Sequence, residues 1–150
     1  MTDRSLLTRQ PHESDVSQLF ALASSFPAPT LPDAAAFQRI FQSKLADPSS
    51  CVIVAASGDP LVGYVSGASH ATFYAGGPVA WVDEIFVRAD VRRTGVGAVL
   101  MTAFERWADS RGCALVGLAT AGAVAFYESL GYTSKAGYFK KYLRRAGAGV

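Results

Sequence analysis

The chain has 150 residues, 50% hydrophobic and 17% charged, which is enough apolar material for one domain with a substantial core and too little charge for a disordered chain. Its 14 basic and 12 acidic side chains leave a formal charge of +2, too balanced to argue for bulk binding to nucleic acid or to a membrane. No apolar run approaches the roughly 18 residues of a membrane span, and no secretory pattern opens the sequence. The two cysteines, Cys51 and Cys113, lack a CxxC partner, so a reduced, cytoplasmic setting and a single domain over 1–150 are expected.

In chain order, 5–10 reads as a short strand and 13–24 as a helix with Val16, Leu19, Phe20 and Ala23 on one apolar face. Pro27, Pro29 and Pro32 then make a loop, and a second helix runs over 33–46 with Phe37, Ile40, Phe41 and Leu45 inward. The runs 51–56 and 61–71 flank Gly58-Asp59-Pro60, a turn that predicts a hairpin, and Gly76-Gly77-Pro78 leads into a strand over 81–87. Val96, Val99, Leu100, Ala103, Phe104 and Trp107 recur at helical spacing, with Gly112 placed to close the helix. A strand over 113–119, a helix over 122–130 and a last strand over 137–143 complete the reading. The order is strand, two helices, three strands, helix, strand, helix, strand, a mixed α/β pattern. Each cysteine opens an apolar run and reads as a small buried hydrophobe, while Lys140, Lys141, Arg144 and Arg145 read as a solvated tail. His12 and His70 have no spaced Cys or His partner, so no metal is expected.

The join at 88–100 carries most information. A helix starting near Gly95 has unpaired N–H groups and the positive end of its dipole in the first turn, and Gly95 and Gly97 remove the Cβ atoms that would keep a bulky anion away. Arg88, Arg92 and Arg93 place three positive charges beside that turn, which suits a diphosphate. A Walker A loop is excluded because no Gly-Lys-Ser/Thr occurs, and a dinucleotide fingerprint because Leu100 stands where its third Gly or Ala would be.

Arg92-Arg93-Thr94-Gly95-Val96-Gly97 matches the Arg/Gln-x-x-Gly-x-Gly/Ala pattern of the GCN5-related N-acetyltransferases, and Tyr127-Glu128-Ser129-Leu130-Gly131-Tyr132 is similar to that family's Tyr-x-x-Leu-Gly-Phe/Tyr segment. The chain thus resembles this family over nearly its whole length. The resemblance implies the acyl-CoA N-acyltransferase fold, acetyl-CoA as co-substrate, and a pyrophosphate cradle formed by Arg92, Arg93, Thr94, Gly95, Val96 and Gly97. The family often has Asn seven residues before its tyrosine, where this chain has Thr120, which puts that coenzyme contact in doubt.

The reaction implied is attack by a primary amine of a small molecule or peptide on the thioester of acetyl-CoA, without nucleic acid or membrane as partner. The amine must lose a proton from a group titrating near 10.4, to a base or along a water chain to bulk, and Asp83 and Glu84 are the candidate bases. Strand alternation lets only one of them face the cleft unless a bulge intervenes. Backbone N–H groups near Phe86 and Val87 are expected to stabilise the oxyanion, and Tyr127 is the family's equivalent of the acid that protonates the thiolate, its alternative being a packed aromatic. A different class of function keeps the same loop: a catalytically silent acyl-CoA sensor or assembly protein. The acceptor segments implied by the family, 26–32 and 70–78, carry Phe26, Phe73 and Tyr74, which fit an amine with an apolar body or, equally, a homodimer contact.

Overall fold

A computed structural model describes residues 5–26 and 33–144 of the chain. The predicted loop prolines Pro27, Pro29 and Pro32, and Arg145 of the basic tail, lie outside the described residues. The chain begins with β1 (Leu6–Arg9), then α1 (Val16–Ser24) and α2 (Ala34–Ala46). A meander follows of β2 (Ser50–Ser57), β3 (Leu61–Thr72) and β4 (Gly77–Val87), then α3 (Val96–Ser110), β5 (Val116–Leu118) and α4 (Val124–Ser129). The strands form one sheet in the order β1-β2-β3-β4-β5. The pairings from β1 to β4 are antiparallel, and β4 pairs with β5 in parallel.

Helices cover both faces. On one face Leu19 and Leu22 of α1 and Phe41 of α2 pack with Val52, Val54, Tyr64 and Phe86 of the sheet. On the other, Val96, Leu100, Met101 and Phe104 of α3 and Tyr127 of α4 pack with Ile53, Val65, Ala80 and Val82. Because β2 and β3 are covered on both faces, they read as nearly continuous apolar runs without alternation. Gly67 sets how closely α3 approaches: a Cβ there would lie 2.2 Å from the Trp81 carbonyl oxygen and 2.7 Å from the Phe104 ring.

Several expectations change. Ile40 and Leu45 of α2 are exposed, and Phe41 alone of that helix is buried. In α1 the buried pair is Leu19 and Leu22, while Phe20 turns sideways to meet Phe37 edge-on, ring centroids 5.2 Å apart. The strand expected over 113–119 shrinks to three residues, Val116–Leu118, and it cannot start at Cys113 because Gly112 (φ +73°) and the Cys113 N–H, donating to the Ala108 carbonyl, close α3. Cys51 is buried as expected, but Cys113 is only half-buried.

The final strand over 137–143 is not formed among the described residues, and Tyr138, Phe139, Tyr142 and Leu143 are exposed. Apolar and charged residues come there in adjacent pairs, Tyr138-Phe139, Lys140-Lys141 and Tyr142-Leu143, so neither face of a strand would be uniformly apolar. Among the described residues the sheet therefore ends at β5.

Candidate active site

The site gathers where β4 leaves its neighbour. The β4–β5 ladder runs from Ala80 to Val82 against Val116 to Leu118, preceded by the Ala114 N–H donating to the Pro78 carbonyl at 2.9 Å, and beyond Val82 the outer edge of β4 is unpaired among the described residues. The Arg88 N–H donates to the Val62 carbonyl at 2.8 Å, so alternation along the antiparallel pair turns the Phe86 N–H toward β3 and those of Ile85 and Val87 toward the open edge. The Phe86 side chain is buried in the α1/α2 layer.

A bulge resolves the question left by the acidic pair. Ser66 pairs with Glu84 and Gly67 with Val82, so Asp83 is the extra residue on β4. Val82 packs toward α3. Glu84 accepts a hydrogen bond from the Tyr64 hydroxyl at 2.8 Å, and Asp83 stands 3.9 Å from the Lys44 ammonium of α2. Tyr64 belongs to the α1/α2 layer. Both carboxylates consequently face that layer, which uninterrupted alternation forbids. Burial holds the Asp83 carboxyl above its ordinary value, and Lys44 offsets part of the rise. Burial, with the Glu84 charge second, pushes the Tyr64 phenol far up, so it stays protonated and donates to Glu84 permanently.

The loop expected to hold an anion joins β4 to α3. Gly95 caps α3 in the left-handed region (φ +92°), and no side chain caps the helix. The first intrahelical bond closes from the Val99 N–H to the Gly95 carbonyl, which leaves the N–H groups of Val96, Gly97 and Ala98 without intrahelical partners. The Val96 side chain is core, so only its N–H faces the loop. Gly97 serves packing: a Cβ there would lie 3.1 Å from the Phe126 ring. Arg92 folds back, its Nε donating to the Val87 carbonyl at 2.9 Å and its guanidinium lying 5.4 Å from the Phe86 ring centroid. Arg93 is held at φ +65°, an uncommon conformation for a residue with a side chain, and Thr94 donates to the Val91 carbonyl. Of the three arginines expected at the turn, Arg88 is withdrawn, since its guanidinium forks onto Asp90 two residues away.

Tyr127 is buried between Phe126 and Tyr132, with ring centroids at 4.9 and 5.9 Å. Its phenol is raised by burial, and among the described residues its hydroxyl forms no hydrogen bond while still reaching solvent. Thr120 is exposed and its hydroxyl accepts from the Ala123 N–H at 3.1 Å, at the entrance to α4. Tyr132 donates to Glu105 at 2.7 Å and so ties the turn after α4 to α3. No group of three metal-ligating side chains gathers among the described residues, and no helix there is long and apolar enough to cross a membrane.

Sequence reasoning missed Tyr64 and Lys44. Tyr64 offered a signal, a phenol inside an apolar strand whose hairpin register brings it near the acidic pair, whereas the Lys44 contact depends on how α2 lies against the sheet.

The family model described as Acetyltransferase (GNAT) family matches residues 14–132, which span both the bulged strand and the glycine loop. The chain belongs to the GNAT acetyltransferase family. Solved structures agree in fold. A transcriptional regulator from Bacillus halodurans superposes with a TM-score of 0.83 at 23% identity, covering 93% of this chain and 100% of that one. Glucosamine-6-phosphate N-acetyltransferase from Arabidopsis thaliana gives 0.83 at 18% identity, covering 93% and 99%. AAC(6')-Iy, solved with the bisubstrate analogue CoA-S-monomethyl-acetylneamine, gives 0.80 at 20% identity, covering 95% and 99%. No curated protein sequence matches the chain.

Proposed function

We propose that this GNAT member is an acetyl-CoA-dependent N-acetyltransferase that transfers acetyl to a primary amine of a small molecule or peptide, the two substrates bound together on one domain. The observation that carries the reading is the coincidence, at one end of β4, of two carboxylates turned to one face by the bulge and an uncapped helix N-terminus. One of the structural relatives is itself held with a conjugate that joins coenzyme A to an amine-bearing molecule.

The residues present fit acetyl-CoA. The N–H groups of Val96, Gly97 and Ala98 point out of an uncapped helix end, nothing lies within 4 Å of where a Gly95 Cβ would stand, and Arg92 and Arg93 are exposed beside it. These groups, with Thr94 in the same loop, would hold the pyrophosphate, and Thr120 at the entrance to α4 is the residue offered for the further coenzyme contact. When bound, acetyl-CoA supplies the activated acyl thioester. The open edge of β4 offers the Val87 N–H to the developing negative charge on the carbonyl oxygen. Phe86 contributes by holding Arg92 in place through its ring, since its own N–H is directed to β3.

Proton movements are assigned to three side chains. Asp83, its carboxyl raised above the ordinary aspartate value by burial, accepts the proton of the incoming ammonium, while Glu84, held by Tyr64, anchors the positive charge. Tyr127 Oη gives a proton to the departing sulfur. Calorimetric titration with acetyl-CoA, followed by thiol release with a panel of amines, tests the reading. Micromolar binding with release for one amine class is expected. Binding without release for any amine would favour a sensor that uses the same loop, and no binding would overturn the assignment.

A further inference from the structure

The amine-binding face already holds one amine, and it belongs to the chain itself. Lys44, near the end of α2, places its Nζ 3.9 Å from Asp83 Oδ2, and both side chains are partly open to solvent. We infer that Lys44 is a specificity-determining residue that cancels one of the two negative charges of the Asp83–Glu84 pair and so selects acceptors with a single positive charge over diamines and polyamines. The inference rests on the N-acetyltransferase reading above and names the substrate class of that site.

Three features of the geometry support it. The bulge sends both carboxylates to the α1/α2 side, where without Lys44 they would present two unit charges, a natural complement to a dication. Glu84 is fixed by the Tyr64 hydroxyl at 2.8 Å, so it cannot swing to meet a second ammonium elsewhere. Asp83 is the partner with freedom, and the contact it makes is with a primary alkylammonium, the functional group that the reaction consumes. A substrate with one ammonium and an apolar body needs only Glu84 as its anchor. A diamine must also displace Lys44, losing that ion pair to gain its own, and so gains nothing from its second charge.

The experiment compares kcat/KM for a monoamine and a diamine of equal chain length in wild type, Lys44→Met and Lys44→Arg. Methionine keeps the length and apolar stem and removes the charge. Lys44→Met is expected to raise the diamine-to-monoamine ratio by roughly three- to fivefold, the size of one partly exposed ion pair, acting through KM for the diamine and leaving the KM for acetyl-CoA unchanged. Lys44→Arg should restore the wild-type ratio, which a purely structural role for the side chain would not predict. In an Asp83→Asn background the Lys44→Met substitution should no longer move the ratio. An unchanged ratio in an active, folded Lys44→Met enzyme would overturn the inference and leave the N-acetyltransferase reading intact. A wild-type protein that acetylates no amine would overturn both.

Discussion

Burial raises the Tyr127 phenol above its usual value of about 10, so the proton that the proposed reaction asks of it is held more tightly than in water. A thiolate whose conjugate acid lies near 8.5 takes that proton uphill, so Tyr127 donates a hydrogen bond to the sulfur while charge grows there and passes the proton only as the C–S bond breaks. Tyr127→Phe should lower kcat roughly a hundredfold with acetyl-CoA affinity held within about twofold, measured by thiol release and calorimetry. Unchanged turnover would leave the ring as packing between Phe126 and Tyr132. Asp83 acts in the opposite sense, because a base must be ionised to work. Its raised carboxyl places an acid limb in the pH profile of kcat/KM above the ordinary range of an aspartate, with activity rising as pH climbs through it. Asp83→Asn should remove that limb and Glu84→Gln should keep it while raising the amine KM.

At the scale of elements, the β4 bulge and Gly67 of β3 are one device. The bulge falls where β3 carries Gly67, and the absence of a side chain there lets Phe104 of α3 sit directly on the sheet. Gly67→Ala would force the Trp81 carbonyl or the Phe104 ring to move and is expected to cost about 2 kcal/mol by denaturant unfolding, with loss of activity beyond that explained by unfolding. A cost near zero would mean that the approach of α3 is not set at this position. The elements were mostly legible in the sequence. Helical spacing from Val96 to Trp107 and the turn at Gly58-Asp59-Pro60 located α3 and the β2–β3 hairpin, and the glycine loop with its open helix end lay where Gly95 was read. The bulge was not legible, because Asp83-Glu84 looks the same whether or not the ladder slips one residue against Ser66 and Gly67. Nor was the fate of Arg88, since its pairing with Asp90 depends on the short turn at 89–91, or the failure of 137–143 to join β5.

At the scale of the whole molecule, the first strand is tied electrostatically to the helix that follows it. Arg9 at the end of β1 forks onto Asp15 at the start of α1, with contacts of 2.6 and 3.1 Å, and the Asp15 carboxylate also accepts from the His12 N–H at 2.7 Å. The hydrogen bonds from Arg9 lead in holding the Asp15 carboxyl below its ordinary value. A depressed carboxyl stabilises the fold at every pH above its unfolded value of about 3.9, and the contribution is lost as pH falls through the lower folded value. Asp15→Asn should therefore cost about 2 kcal/mol near neutrality and progressively less in acid, read from unfolding midpoints across pH. A penalty independent of pH would show that shape, and not charge, is what the pair supplies. This tie fixes the start of α1, whose Leu19 and Leu22 pack in the same layer as Tyr64, the partner of Glu84. The central claim is transfer of acetyl to a nitrogen that must lose a proton. Its most direct test is thiol release from acetyl-CoA with a primary amine and with its fully N-methylated tertiary counterpart, the product identified by mass. The account predicts steady turnover and an N-acetylated product with the primary amine and none with the tertiary one; equal release with both, or release without an acetylated amine, would contradict it.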